Sequence, residues 1–490
     1  MIKKHINKAA TALLLAASLV GTSAVFSGCG VLSLNKPAER DEDTTAVDET
    51  TSYYELDVIE NDYTSEVDRY LKDLSGTDYG GAVVKIVTVA NRLVVPDENT
   101  GTVLTRELEE RNGAVEENLN VTIVSEEKDA ETLLDELKIA VKAGDYYADA
   151  VMYPQDMMGA FALSGAISNM KSLPDFETDN GYYYPSAVAA GTGGDAVYGV
   201  AGPASLNADG LPCIYFNKSL IEKAGLESPY SLVDRGEWTI DKYTEYMRAV
   251  SGLEGEYYGY SAQNTSTYLT DIFFFGCGET LTASTHGSYP TLTLGSEKTQ
   301  SVVDKIREAT VNSSTTGDAL TAIDAFCAGN VLFLVDRIDT MKTIANSSVD
   351  WGLLPVPKYD AEQTSYLSLA YYKDAIFFGA VPTAPNIALT SDLIAGMNII
   401  SYGYTVDVYV ENASYYYLRD NDSIRMMRLA VNDPMFDFAY SYSNSYNAIP
   451  SATYMAVRNA VSEVSTLETY TNMWADQFSN TMYRLFNVGN

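Results

Sequence analysis

The sequence predicts an α/β protein of more than one domain, and three observations carry that reading. The chain has 490 residues, 46% of them hydrophobic, which is more core material than one domain ordinarily holds. Between residues 82 and 154, β-branched apolar runs alternate with helical patterns, the order that builds a parallel sheet with right-handed crossovers. A second series of strands and helices begins near residue 210 and continues through "AFCAGNVLFLV" and "DWGLLPVP".

The elements follow in chain order. "AVVKIVTVA", Ala82–Ala90, alternates and reads as a buried strand. "TVLTRELEERNGAVEENLN" has helical spacing, and "VTIVSE", Val121–Glu126, is a second strand. "AETLLDELKIAVKAG" is an amphipathic helix ended by Gly144, and "ADAVMYP" is a third strand. Ligands of such sheets bind beyond the carboxyl ends of the strands, so "NRLVVPDENTG" and "YPQDMMG" are the loops where binding groups are expected. Farther on, "PCIYFNKSLIEKAGL" reads as a strand running into a helix with Gly225 at its end, and "GEWTIDKYTEYMRAV" as another helix.

The N-terminus reads as an export signal. Lys3, Lys4 and Lys8 precede the uncharged run "AATALLLAASLVGTSAVF", the basic and apolar regions of a signal peptide; an uncleaved anchor is the alternative. "FSGC", Phe26 to Cys29, resembles a bacterial lipobox with Phe26 in place of the usual Leu, and it implies lipidation of Cys29 and a signal over residues 1–28. Residues 29–78 then form an acidic tether. From Glu39 to Asp78 there are fourteen Asp or Glu against three Lys or Arg, too little apolar surface to offset the cost of ordering.

Charge and residue usage exclude several functions. A formal charge of −34 repels phosphates, so neither nucleic acid nor an anionic lipid surface is an expected partner. With Cys29 set aside, Cys213, Cys277 and Cys327 form no CxxC pattern and read as small buried hydrophobes. His286 is the one histidine after the signal and sits in the turn-like "ASTHGSYP", which leaves no multi-histidine zinc site and no HExxH. Trp238, Trp351 and Trp474 read as structural, and the 37 tyrosines are too many for one site. "DENTGT" and "DFETDNG" are oxygen-rich, but neither has the glycine placement of an EF-hand.

In this order, "RNGAVEENLNVTI", "ADAVMYPQD", "YGVAGPASLNADGLPCIYFNKSLIEKAGL", "EWTIDKY", "AFCAGNVLFLV", "WGLLPVPK" and "AIPSATYMAVRNAV" resemble the extracellular solute-binding proteins of ABC sugar importers, the family of maltose-binding protein. The resemblance covers nearly all of residues 79–490. It implies a two-lobe, type II periplasmic-binding-protein-like fold whose hinge is crossed several times. Lobe 1 would take residues 79–205 and 370–405, and lobe 2 residues 206–369 and 406–490, with hinge segments near Val197–Leu211, Leu367–Phe378 and after Ser401. It also implies a monomer without cofactor that captures a carbohydrate between its lobes and delivers it to a membrane permease.

Sugar recognition needs an aromatic face against the C–H face of a ring and polar groups for its hydroxyls. Carried over by position, the resemblance assigns such roles to Asn91 and Arg92 after the first strand and to Tyr153, Gln155 and Asp156 after the third. It assigns Asn207 and Asp209 in the first crossing, and Gln263, Asn264, Tyr268, Asp336, Arg337 and Tyr454 from the second lobe. An internal Asp336–Arg337 ion pair is the alternative for those two, and a core tyrosine the alternative for Tyr454. A secreted glycoside hydrolase needs only two carboxylates at a suitable spacing, so it and a surface adhesin or sensor stand as the other readings; a catalytic signature is absent from the sequence.

Overall fold

Val84, Ile86 and Val87 are fully buried, and they make strand β1 (Ala82–Thr88) the centre of the first sheet. It pairs in parallel with β2 (Val121–Glu127) on one side and β3 (Ala150–Pro154) on the other. The computed structural model describes residue 67 and residues 77–96, 102–262, 268–284, 288–311, 321–402 and 405–487. The signal, Cys29, nearly all of the tether, Gln263, Asn264 and His286 therefore lie outside the described residues.

Helices Thr102–Leu119 and Ala130–Ala143 form the crossovers. The second starts where the Asp129 carboxylate accepts from the Thr132 amide, buries Leu133 and Leu137, and stops at Gly144 with φ 77°, the left-handed geometry that favours glycine.

The second sheet uses strands β4 (Pro212–Asn217), β5 (Tyr258–Ala262), β6 (Val331–Arg337) and β7 (Trp351–Leu354). Its order is β7-β4-β6-β5, with β4 antiparallel to both neighbours and β5 parallel to β6. All six residues of β4 are buried, as expected of a strand covered on both faces. Trp238 and Trp351 are fully buried here, their indoles donating to Pro355 O at 3.0 Å and Ile344 O at 3.2 Å. Cys213 and Cys277 are buried and Cys327 is half-buried, all three as free thiols.

The chain crosses between the sheets more than once. It leaves the first sheet through the segment before β4 and returns to supply β8 (Ile376–Ala380), which pairs antiparallel with β3. A bridge between Val200 and Phe378 ties these two crossings together. Ser368–Leu369 pairs in parallel with Pro434–Met435, adding a later stretch of chain to the same region. Helix Thr405–Tyr416, which begins at the expected lobe boundary, packs both on Thr102–Leu119 and on Asn421–Asn432, the helix that lies over β7.

Gly352 shows how tightly the second core is built. A Cβ there would overlap the Tyr230 hydroxyl and the Phe216 ring, and Tyr230 is itself held by Ser423 at 2.8 Å. Gly352→Ala is expected to cost about 1–3 kcal/mol by overpacking, read as a lower midpoint in a thermal melt followed by circular dichroism.

Candidate ligand-binding site

The turn after β1 is a short 3-10 segment, Asn91–Leu93. The Asn91 amide oxygen accepts from Ser125 Oγ at 2.7 Å, which holds the turn onto β2. Arg92 is exposed and reaches the first crossing, donating to Asn207 Oδ1 at 2.6 Å and Asp209 Oδ2 at 3.4 Å. Asp209 Oδ2 also accepts from Lys342 Nζ at 2.8 Å, and its Oδ1 accepts from the Tyr409 hydroxyl. Burial pushes the Asp209 carboxyl up, but Lys342, Tyr409 and Arg92 together outweigh it and hold it below its usual range. Asn207 donates to Asp374 O at 3.3 Å.

The end of β6 supplies the facing groups. Arg337 pairs with Asp374 at 2.9 Å and Asp339 at 3.4 Å, so its guanidinium serves the second crossing and not an ion pair with Asp336. Asp336 accepts the Arg337 amide through Oδ1 at 2.8 Å. Asp336 Oδ2, Arg337 Nε and the Tyr268 hydroxyl are buried with no hydrogen-bond partner within 3.5 Å, the Thr340 side chain being a nearby polar group that acts on the Asp336 carboxylate. Burial raises the Tyr268 phenol well above its usual value, and the charges of Arg337, Asp374 and Asp336 act on it as well, so the three unpaired atoms share one neighbourhood. Burial likewise pushes Asp336, Asp339 and Asp374 above the usual carboxylate range.

Tyrosines continue from that neighbourhood. Tyr268 lies edge-on to Tyr371 at 4.8 Å, and Tyr371 touches Tyr372 at 4.5 Å. Tyr372, Tyr440 and Tyr454 are nearly parallel, with centroids 4.9 and 5.1 Å apart. The Arg458 guanidinium lies 4.5 Å from the centre of Tyr454, a cation–π contact. Behind them Asp271, 3% exposed, accepts from Tyr440 at 2.8 Å and pairs with Arg458 through both carboxylate oxygens. Burial pushes the Asp271 carboxyl up despite these partners. Tyr268, Tyr371, Tyr372 and Tyr454 are half-buried and Tyr440 is buried.

Three expected residues turn out otherwise. Tyr153 is completely buried: its ring stacks on Phe161 at 4.7 Å, its hydroxyl donates to Tyr198 O at 2.8 Å, and bare Gly199 and Gly379 close against it. It is a core residue, because β3 is covered on both faces. Gln155 is also completely buried, donating to Asp437 O at 2.8 Å and Ser441 Oγ at 3.1 Å. Asp156 is nearly so, accepts from Asn444 at 3.3 Å, and burial raises its carboxyl. The turn after β3 is thus a seat for residues 437–445, which also press Tyr442 and Ser445 onto Gly159.

Tyr268, Asp336 and Arg337 stand together as a group, with Arg92, Asn207 and Asp209 joined to them through Asp374. Tyr454 sits farther along the tyrosine row. Tyr371, Tyr372, Asp374, Tyr440 and Arg458 were not anticipated; "AYYKD" in an expected hinge segment was the signal that could have found the first three. Among the described residues no group of His, Cys, Asp or Glu is arranged to hold a metal ion.

The description of the bacterial extracellular solute-binding proteins matches residues 110–402, more than half of the chain. The chain belongs to that family. No curated protein matches this solute-binding protein. Among solved structures, a cyclo/maltodextrin-binding protein complexed with maltotetraose aligns over 82% of this chain and 97% of its own, at 14% identity and a TM-score of 0.53. The two-lobe periplasmic-binding-protein fold of type II is thereby shown. An ABC substrate-binding protein from Listeria monocytogenes in complex with cycloalternan aligns over 82% and 99% of the two chains at 13% identity, with a TM-score of 0.48. The acarbose-binding GacH receptor of Streptomyces glaucescens aligns over 83% and 99% at 14% identity, with a TM-score of 0.46.

Two outcomes separate core from site. Tyr153→Ala is expected to lower stability by about 3–5 kcal/mol, read as the shift in a urea titration. Arg458→Ala strands the buried Asp271 charge, at a cost of about 3–5 kcal/mol near neutral pH. A carboxyl whose folded pKa is raised binds its proton more readily when folded, so stability rises as pH falls. The loss in Arg458→Ala should therefore shrink steadily as pH is lowered, read by urea titrations at a series of pH values.

Proposed function

We propose that this protein captures a carbohydrate of oligosaccharide size between its lobes and hands it to the permease of an ABC importer, without turnover. The observation that carries the reading is the trio of buried, unpartnered atoms beside half-buried tyrosines: an acceptor on Asp336, a donor on Arg337, and a Tyr268 hydroxyl that can do both. Each buried polar atom left unpaired costs about 1–3 kcal/mol, so a ligand that completes all three gains more than it would from a satisfied surface. Sugar hydroxyls both donate and accept, and tyrosine rings offer C–H contacts. A neutral sugar fits better than an acidic one, since Arg92, Arg337 and Lys342 are already paired with carboxylates. The fold shared with a maltotetraose-binding protein supports the same class.

In this reading Tyr268, Asp336 and Arg337 contact the sugar, Tyr371, Tyr372 and Tyr454 provide apolar faces, and Arg92, Asn207 and Asp209 frame the site. Gln263 and Asn264, a few residues before Tyr268 in sequence and outside the described residues, are assigned to the ligand by the resemblance alone. Cys29 carries the lipid that keeps a monomeric binding protein beside its permease on the outer face of the cell membrane. One acyl chain binds only marginally, so a diacylglyceryl cysteine is the adequate anchor.

A thermal-shift screen against maltodextrins, cyclodextrins, other neutral sugars, uronates and peptides tests the ligand class, because a binder of the folded state raises the melting temperature. A selective rise with a neutral oligosaccharide, confirmed by calorimetry and with no sugar released, is the expected result; a rise with peptides alone would refute it. Tyr268→Phe and Asp336→Asn should each weaken that binding roughly 5- to 30-fold, the loss of one buried hydrogen bond. Cys29→Ala should release the protein into the medium, as read by immunoblot of cell and supernatant fractions.

A further inference from the structure

The C-terminal helix, Leu467–Asn487, packs on the helices Ala448–Ala452 and Tyr454–Val461, and the latter lies on Glu297–Thr310 and Tyr268–Gly276 of the second lobe. Its Phe486 nonetheless lands on the first lobe. The hairpin formed by Thr192–Gly193 and Ala196–Val197 is held to that lobe by Val197 N donating to Asn169 Oδ1 at 3.0 Å. A Cβ on Gly193 would overlap the Phe486 ring. Gly193 does not have a positive φ, so what its missing side chain supplies is space for the ring. At Gly194 a Cβ would lie 3.5 Å from Tyr289 and 3.7 Å from Phe486. Tyr289 follows from the second lobe and stacks on Phe486 at 5.9 Å and 13°. Phe438 and Tyr442 complete the surround at 5.9 and 5.8 Å.

Tyr442 also presses on Gly159 in the turn after β3. The contact therefore lies on the side where the parallel strands of the first sheet end, the side on which the lobes meet. We infer that Phe486 and Tyr289, seated on Gly193 and Gly194, form an aromatic latch that holds the two lobes in their closed arrangement. The latch half-buries two rings against bare backbone, an apolar contact that can part and re-form as the lobes move. Its strength sets how much of the protein is closed before any solute arrives, and a closed fraction fixed in this way scales the apparent affinity for whatever solute is bound.

The test is small-angle scattering of the full chain without solute, so it does not depend on which solute binds. Phe486→Ala and Gly193→Ala should each enlarge the radius of gyration while far-UV circular dichroism stays unchanged. Because the two residues act through one contact, Gly193→Ala added to Phe486→Ala should enlarge it no further. Phe486→Leu, which keeps most of the apolar volume, serves if the alanine variant fails to fold, and should give an intermediate change. An unchanged radius in Gly193→Ala and either Phe486 variant would overturn the latch, and a fall in melting temperature with that unchanged radius would mark Phe486 as ordinary core packing.

Discussion

Four separated stretches of chain meet at one carboxylate. Asp209 belongs to the first crossing, Arg92 to the turn after β1, Lys342 to the segment after β6 and Tyr409 to the helix of the last crossing. A buried carboxylate with fewer partners would be costly, so its satisfaction requires that all four be in place together. That requirement fixes where the ends of β1 and β6 stand relative to each other. The neighbourhood of Tyr268, Asp336 and Arg337 is built on the frame so made, because Asp374 joins Arg337 to the same crossing that holds Asn207.

Elements of the fold were legible where local pattern and local environment agree. β1 and β3 are apolar runs whose residues are largely buried, β2 keeps only Val121 buried, and Gly144 ends its helix for a backbone reason that shows in the sequence. Trp238 reads as structural because it sits at a predicted helix start and Trp351 because it adjoins a predicted strand, and both are buried accordingly.

The site was legible only in part, and the failure has a physical cause. Tyr153, Gln155 and Asp156 stand at the end of a strand, where a binding loop is expected. Their surroundings are decided by residues 437–445, nearly three hundred positions later, which occupy that end before any solute can. Tyr440 and Arg458 share a difficulty of the same kind: each matters through Asp271, and nothing in a single sequence pairs those three. Tyr268, Asp336 and Arg337 were assigned by the order of motifs in the resemblance and not by any local pattern, and Arg337 joins them to the second crossing through Asp374.

The edge strand β8 has a consequence for how the protein is made. It completes the first sheet by pairing with β3, yet it is encoded after all four strands of the second sheet. Until it emerges during synthesis, β3 is an unpaired sheet edge and the first lobe has no way to close its core. A member of an extracellular family has to leave the cell, and this late strand delays completion of the very lobe that is synthesised first. Long-range pairing of this kind is slow to form, which here works in favour of secretion.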